Sequence, residues 1–227
     1  MKVYAISDLH LSINNPKPMD IFGEVWDNYL DDIEKSLADV QADDLVLLAG
    51  DLSWAMTLEQ AVPDLQYIGK LNGKKIITRG NHDYWWKSIS AVRGALPDNV
   101  YAIQNDCVKI GDVIVGGSRG WSADDKSEDG KRLYARELLR IEMSLQAMQK
   151  LKADGDRMVF MIHYPPFTVK FDGTPVTELF EKYGIDAVVY GHIHGKNCYA
   201  KKTLVKNGIK YLLTSCDLIN NTAVTVF

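Results

Sequence analysis

Apolar residues along the chain gather in short runs separated by longer stretches of helical periodicity. Val3 to Ile6, Leu45 to Ala49 and Ile76 to Thr78 are compact apolar runs, each predicting a buried strand. Between and after them, the patterns near Phe22 to Leu37, Leu58 to Leu71 and Trp85 to Leu96 predict helices. Strand and helix in alternation imply βαβ units and largely parallel, buried sheets. The second half opens with VKIGDVIVGG, a hairpin turning at Gly111 and Asp112. A charged helix is expected from about Lys131 to Lys152, followed by strands near Met158 to Ile162 and Ala187 to Tyr190. The C-terminal runs Lys201 to Val205, Ile209 to Thr214 and Ala223 to Phe227 have no helical interval between them, which predicts antiparallel strands. Two sheets packed face to face with helices outside would bury this much apolar strand.

Composition narrows the picture. The chain has 227 residues, with no low-complexity segment, fixed-period repeat or Pro/Gly/Ser linker to divide it, so one domain over residues 1–227 is expected. Net charge is −4 and no block of like charge occurs, which argues against a generic nucleic-acid or anionic-membrane surface. MKVYAISDLH reaches an acidic residue too soon for a signal peptide or membrane span, and Cys107, Cys198 and Cys216 are odd in number and scattered. Reduced thiols near the core and a cytoplasmic protein are the expectation.

Chemistry concentrates where the predicted strands end. After VYAIS come Asp8 and His10, after LVLLAG comes Asp51, and after KIITRG come Asn81, His82 and Asp83. MVFMI is followed by His163, and AVVYG by His192 and His194. All five histidines of the chain fall at such places. Loops at the carboxyl ends of parallel strands converge over the sheet edge, so these residues can meet at one site. The pair His192 and His194, two apart in an extended segment, would point to one side and could share one metal, serve two, or decorate a turn. Asp8, His10, Asp51, Asn81, His163, His192 and His194 offer more donors than one transition metal needs. Mixed carboxylate and imidazole donors without thiolates suit two ions of Mn, Fe, Zn, Co or Ni better than an all-oxygen Mg or Ca site. Two divalent ions outweigh two ligand aspartates in charge, so such a centre stays cationic and attracts phosphate.

In order, Asp8-Leu9-His10, Gly50-Asp51, Gly80-Asn81-His82-Asp83, His163 and Gly191-His192-Ile193-His194 resemble the motif set of the calcineurin-like metallophosphoesterases, spanning residues 8 to 194. The resemblance implies an α/β fold, a four-layer α/β/β/α sandwich of two packed mixed sheets, with a dinuclear metal site at the strand C-terminal ends. It implies that Asp8, His10 and His194 bind one metal, that Asn81, His163 and His192 bind the other, and that Asp51 bridges them. It further implies a hydrolase of phosphomonoesters or small phosphodiesters, nucleotides among them, in which a metal-bound hydroxide attacks the phosphoester. His82 would protonate the leaving oxygen, and Asp83 would orient and charge His82. Trp54 stands where some relatives carry a charged residue three positions after the bridging Asp.

Arg119, in the glycine-rich GGSRGW, is a candidate for binding phosphate oxygens, and Arg79 is expected to brace a loop. Trp54, Trp85, Trp86 and Trp121 could stack an aromatic group or simply pack. Ser122 to Arg132 could form a lid or a solvated acidic loop. A small phosphorylated substrate is expected. The competing reading is a protein-interaction scaffold of the same fold without catalysis. Retention of His82 and of every implied ligand favours the enzyme.

Overall fold

The computed structural model describes residues 1–14, 16–195, 198 and 200–227. Among the described residues the strands assemble into two sheets. The first contains β1 (Val3–Ala5), β2 (Leu45–Leu48), β3 (Lys74–Ile77), β4 (Val100–Ala102) and β11 (Val224–Thr225), in the order β11-β1-β2-β3-β4. The second contains β5 (Asp106–Ile110), β6 (Val113–Ser118), β7 (Arg157–Ile162), β8 (Ala187–Tyr190), β9 (Thr203–Lys206) and β10 (Ile209–Leu213), in the order β5-β6-β7-β8-β10-β9. The inner strands of both sheets are parallel, and antiparallel strands occupy edges: β11, β5 and β9.

Period-2 alternation in these strands explains the layering. In β2, Leu45 and Leu47 face the second sheet while Val46 and Leu48 face helices α1 (Tyr29–Ser36) and α2 (Leu58–Lys70), and all four are buried. In β7, Val159 and Met161 join the core between the sheets, while Met158, Phe160 and Ile162 pack against α4 (Glu128–Leu151) and α5 (Pro175–Lys182). Three apolar cores therefore separate four layers, α/β/β/α, as the sequence pattern implies. No helix among the described residues is long and apolar enough to cross a membrane.

Several elements differ from expectation, each for a local reason. The helix expected near Phe22 to Leu37 is broken into two single 3-10 turns, Asp20–Phe22 and Glu24–Trp26, and α1. Gly23 at φ 121° and Asn28 at φ 53° supply the breaks. The helix expected from Trp85 shrinks to α3 (Ile89–Gly94), because the Ser88 side chain caps it and Trp85 and Trp86 instead fill the core. The short strand β4 and helix α5 lie outside the predicted elements. Strand β4 has too few residues for a pattern, but α5 is announced by Thr174 as N-cap and Pro175 at its first turn. The tail is only partly antiparallel: β9 and β10 form a hairpin and β11 pairs antiparallel with β1, whereas β10 runs parallel to β8. Helix α4 begins at Glu128, because Ser127 accepts a hydrogen bond from the Gly130 N–H at 2.9 Å. The second half of the acidic stretch 122–132 is thus helix rather than lid. The hairpin at Gly111-Asp112 forms as expected, with Gly111 at φ 59° in its first loop position.

The two sheets are tied together where their parallel strands end. Beyond β1, the Ser7 N–H donates to the Thr214 carbonyl at 2.7 Å and the Cys216 N–H donates to the Ser7 carbonyl at 3.0 Å. Beyond β7, His163 Nδ1 lies 3.0 Å from the Ala49 carbonyl at the end of β2. Side chains leaving both sheets consequently share one edge.

Candidate metal centre

Strand ends from both sheets supply the site. Asp8 and His10 follow β1, Asp51 follows β2, Asn81 and His82 follow β3, His163 follows β7, His192 and His194 follow β8. The loops after β1 and β2 run side by side: the Asp8 N–H donates to the Gly50 carbonyl, and the His10 N–H donates to the Asp51 carbonyl, both at 3.0 Å. Asp8, His10, Asp51 and His192 all hold positive φ, between 47° and 72°. Non-glycine residues occupy that region at a cost, and such strain gathers at sites where side chains must be aimed.

Two glycines allow the loops to close in. A Cβ on Gly80 would collide with Asp51 Oδ1, and one on Gly191 would collide with Asp8 Oδ2. Only glycine permits these approaches.

The donor atoms form two groups. Ligand atoms of Asp8, His10 and His194 lie within 4.8 Å of one another, as do those of Asp8, Asp51 and His163. His163 Nε2 and His192 Nδ1 converge on Asn81 Oδ1, at 2.7 and 2.8 Å. The rings are held from behind. His163 presents Nδ1 to the Ala49 carbonyl, which leaves Nε2 toward Asn81. His194 Nδ1 is 2.9 Å from Asp217 Oδ1, and Asp217 Oδ2 accepts the Gly195 N–H at 2.9 Å.

These residues fit a pair of cations. His10 Nδ1 and His194 Nε2 are buried without a hydrogen-bond partner, although the latter is only 3.3 Å from Asp8 Oδ1. Buried nitrogens of this kind need either a partner or a metal. Electrostatics agrees. Burial would raise the pKa of Asp8, but His194, His163 and His10 hold it well below the usual carboxylate range. Asp51 is likewise lowered against its burial, chiefly by His163. Burial opposes the charging of His163 and His194, yet Asp51 and Asp8 carry His163 up to about 9, and Asp217 with Asp8 carries His194 up to about 10. Burial dominates at His10 and His192, pushing both down to about 4. The two buried carboxylates are thus balanced by these histidines, a role that bound cations would also fill.

The family model of the calcineurin-like phosphoesterases matches residues 1–196. The chain belongs to this family. Calcineurin-like phosphoesterases hydrolyse phosphoester bonds with metal ions, and this member is a phosphoric ester hydrolase with residues clustered to bind them. Its fold is shared by a solved structure from Thermus thermophilus at 15% identity, TM-score 0.63, covering 98% of this chain and 96% of that one. A phosphopantetheinyl hydrolase from Mycobacterium tuberculosis is similar at 14% identity and TM-score 0.56, covering 100% and 95%. A protein of unknown function from Aquifex aeolicus is similar at 18% identity and TM-score 0.51, covering 99% and 95%. At these identities the likeness is one of fold. No curated protein sequence matches the chain.

The phosphoesterase departs from the sequence reading around His82. Asp83 does not stand behind the His82 imidazole. Its carboxylate accepts from the backbone N–H groups of Gly80, Asp51, Leu52 and Ser53 and from Trp85 Nε1, at 2.7 to 3.2 Å, while His82 Nδ1 is buried without a partner. Burial and Asp51 push Asp83 up to about 6, against the amides and indole turned toward its oxygens, which favour the carboxylate. Asp83 is a brace for the Asp51 loop.

Other candidates separate as clearly. Trp85 and Trp86 are fully buried and cannot meet a substrate. Trp54 stacks on His10, ring centroids 4.7 Å apart, and lies 4.7 Å from His82. Trp121 packs on Tyr164, whose ring is 4.1 Å from that of His192. The Arg119 carbonyl accepts from the His163 and Tyr164 N–H groups, and its guanidinium lies 5.1 Å from the Trp121 ring. Among the described residues neither Arg79 nor Arg119 has a carboxylate at ion-pair distance, and Arg79 Nε is buried without a partner. Asp217 escapes the sequence reading. Its only signal is the one shared by the other site residues, an acidic residue just past a strand end.

Proposed function

We propose that this phosphoesterase cleaves small phosphorylated substrates, monoesters or compact diesters, nucleotides among them, at a two-ion centre. Asp8, His10 and His194 would hold one ion, Asn81, His163 and His192 would hold the other, and Asp51 would serve both. One observation carries this reading: Asp51 Oδ2 sits 4.0 Å from His10 Nε2 and 3.4 Å from His163 Nε2, one nitrogen from each group. A carboxylate oxygen so placed suits a bridge.

Bound divalent ions, of the Mn, Fe, Zn, Co or Ni kind that this donor set favours, supply Lewis acidity and lower the pKa of water toward roughly 7. The chain supplies the rest. His82, with its backbone N–H anchored on Asp51 Oδ1 at 2.8 Å, delivers a proton to the leaving oxygen. Asp83 holds the loop carrying Asp51 and His82. Arg119, whose guanidinium lies 5.1 Å from the Trp121 ring, offers a half-buried cation to the phosphoryl oxygens. Net charge of −4 without a block of basic residues argues against a generic nucleic-acid surface. Free Cys107, Cys198 and Cys216 support a cytoplasmic setting.

The test uses protein loaded with Mn²⁺ and supplied with p-nitrophenyl phosphate and bis-p-nitrophenyl phosphate. Hydrolysis of at least one is the expected result, and on benzyl phosphate, whose alcohol leaves only when protonated, His82→Asn at unchanged metal content is expected to lose about 100-fold or more. Equal benzyl phosphate rates in the two proteins would overturn the role of His82.

A further inference from the structure

A cavity of about 300 Å³ adjoins the site, lined by His10, His82, His194 and Asp217 together with Met19, Phe22, Trp26 and Trp54. Its apolar wall comes from Trp54 in the loop after β2 and from the segment between β1 and α1, whose two 3-10 turns carry Phe22 and Trp26. The Trp26 ring lies 6.2 Å from that of His10 and 6.3 Å from that of His194.

Met19, Phe22 and Trp54 make that wall largely apolar. The indole N–H of Trp54 is directed to Met19 Sδ at 3.3 Å, so the one donor on that ring is taken by a thioether. The Lys17 ammonium sits 3.2 Å from the Trp54 ring centroid, engaged as a cation on an aromatic ring. At the edge, Asp217 has both carboxylate oxygens occupied by His194 and Gly195. Phe22 leaves 61% of its surface exposed at the rim, apolar area without a partner in the fold.

A general acid works within hydrogen-bond reach of the oxygen it protonates, about 2.6–3.2 Å. The alcohol being released must therefore continue from His82 along this wall, where the Trp54 ring centroid is 4.7 Å from that of His82. Hydroxyl groups placed against Met19, Phe22 and the Trp54 ring would lose water and gain no partner from those side chains. Carbon would gain from the burial.

We propose that the cavity binds the leaving alcohol and selects phosphoesters of apolar alcohols about the size of one aromatic ring. The proposal rests on the reading of His82 as the acid. With Mn²⁺-loaded protein, kcat/KM is measured for benzyl, ethyl and glycerol phosphates, whose alcohols are poor leaving groups of similar acidity. Benzyl phosphate is expected to exceed ethyl phosphate by roughly tenfold to a hundredfold, the discrimination an apolar pocket achieves, with glycerol phosphate lowest. Phe22→Ala, an exposed position whose truncation spares the core, is expected to cut the benzyl-to-ethyl ratio about threefold or more. Benzyl alcohol should inhibit competitively and glycerol should not. Equal kcat/KM for the three esters, with hydrolysis still dependent on His82, overturns the alcohol-pocket proposal and leaves the hydrolase standing. No hydrolysis of any ester, with p-nitrophenyl esters also inert, overturns both.

Discussion

Asp83 and Asp51 clasp one another's loops: the Asp51 N–H donates to Asp83 Oδ2 at 2.9 Å, and Asp51 Oδ1 accepts the N–H of His82, the residue before Asp83, at 2.8 Å. An acidic residue that reads in sequence as the partner of a catalytic histidine is, in the fold, the anchor of the proposed bridging ligand. Charged hydrogen bonds to four backbone amides and an indole make it hard to replace. Asp83→Asn, which turns an NH2 group toward those donors, is expected to lower stability by about 3 kcal/mol and weaken metal retention. Denaturant unfolding with metal analysis checks this. A variant of full stability and full metal content, with only a shifted pH profile, would restore Asp83 to the side of His82.

Metal removal should expose a pH dependence. In protein stripped by a chelator, His163 and His194 are raised above their unfolded values, to about 9 and about 10. Their contribution is complete below about pH 6.5 and is lost as pH rises through 9 to 10. His10 and His192, lowered to about 4, contribute above about 6.5 and lose it as pH falls toward 4. Thermal melts of stripped protein should therefore fall between about pH 7 and 10, and those of Mn²⁺-loaded protein should fall much less. Loading at about pH 7.5 should also release protons, seen as a buffer-dependent heat, because ligating imidazoles must be neutral.

Asp217→Ala removes the carboxylate holding both His194 Nδ1 and the Gly195 N–H. Loss of such a supporting partner is expected to weaken one metal by about 10- to 100-fold while leaving the other and the fold in place. Titration of stripped protein with Mn²⁺ resolves the two sites.

Gly191→Ala drives a methyl group into Asp8 Oδ2 and places it 2.6 Å from Ser7 Oγ, both buried. Asp8 must move, so metal occupancy and turnover are expected to fall together. Gly94→Ala is the control: nothing lies within 4 Å of its new Cβ, and at the end of α3 it should be neutral or stabilise by up to about 1 kcal/mol.

Much of this architecture is legible along the chain because β2, β7 and β8 are buried on both faces, and such strands read as unbroken apolar runs. The same runs mark their own ends, which is how Asp51, His163 and His192 stand out. What the pattern cannot carry is direction. Strand β10 runs parallel to β8 because the chain first lays down β9 at the outer edge and then turns back between the two, a tertiary choice that its alternation does not record. Nor can spacing say whom a carboxylate faces. Asp83 next to His82 suggests a pair, and only the folded loops show its oxygens turned to the Asp51 amides. Trp85 and Trp86, adjacent to the same motif, carry no signal that distinguishes core from substrate wall.

Separation of roles between Asp51 and His82 is the centre of the account, and metal stoichiometry measured beside turnover tests it most directly. The wild-type protein should hold two ions. His82→Asn should still hold two and lose about 100-fold or more in turnover of benzyl phosphate, whereas Asp51→Asn should lose occupancy of both. An empty His82→Asn variant and a fully loaded Asp51→Asn variant would contradict it.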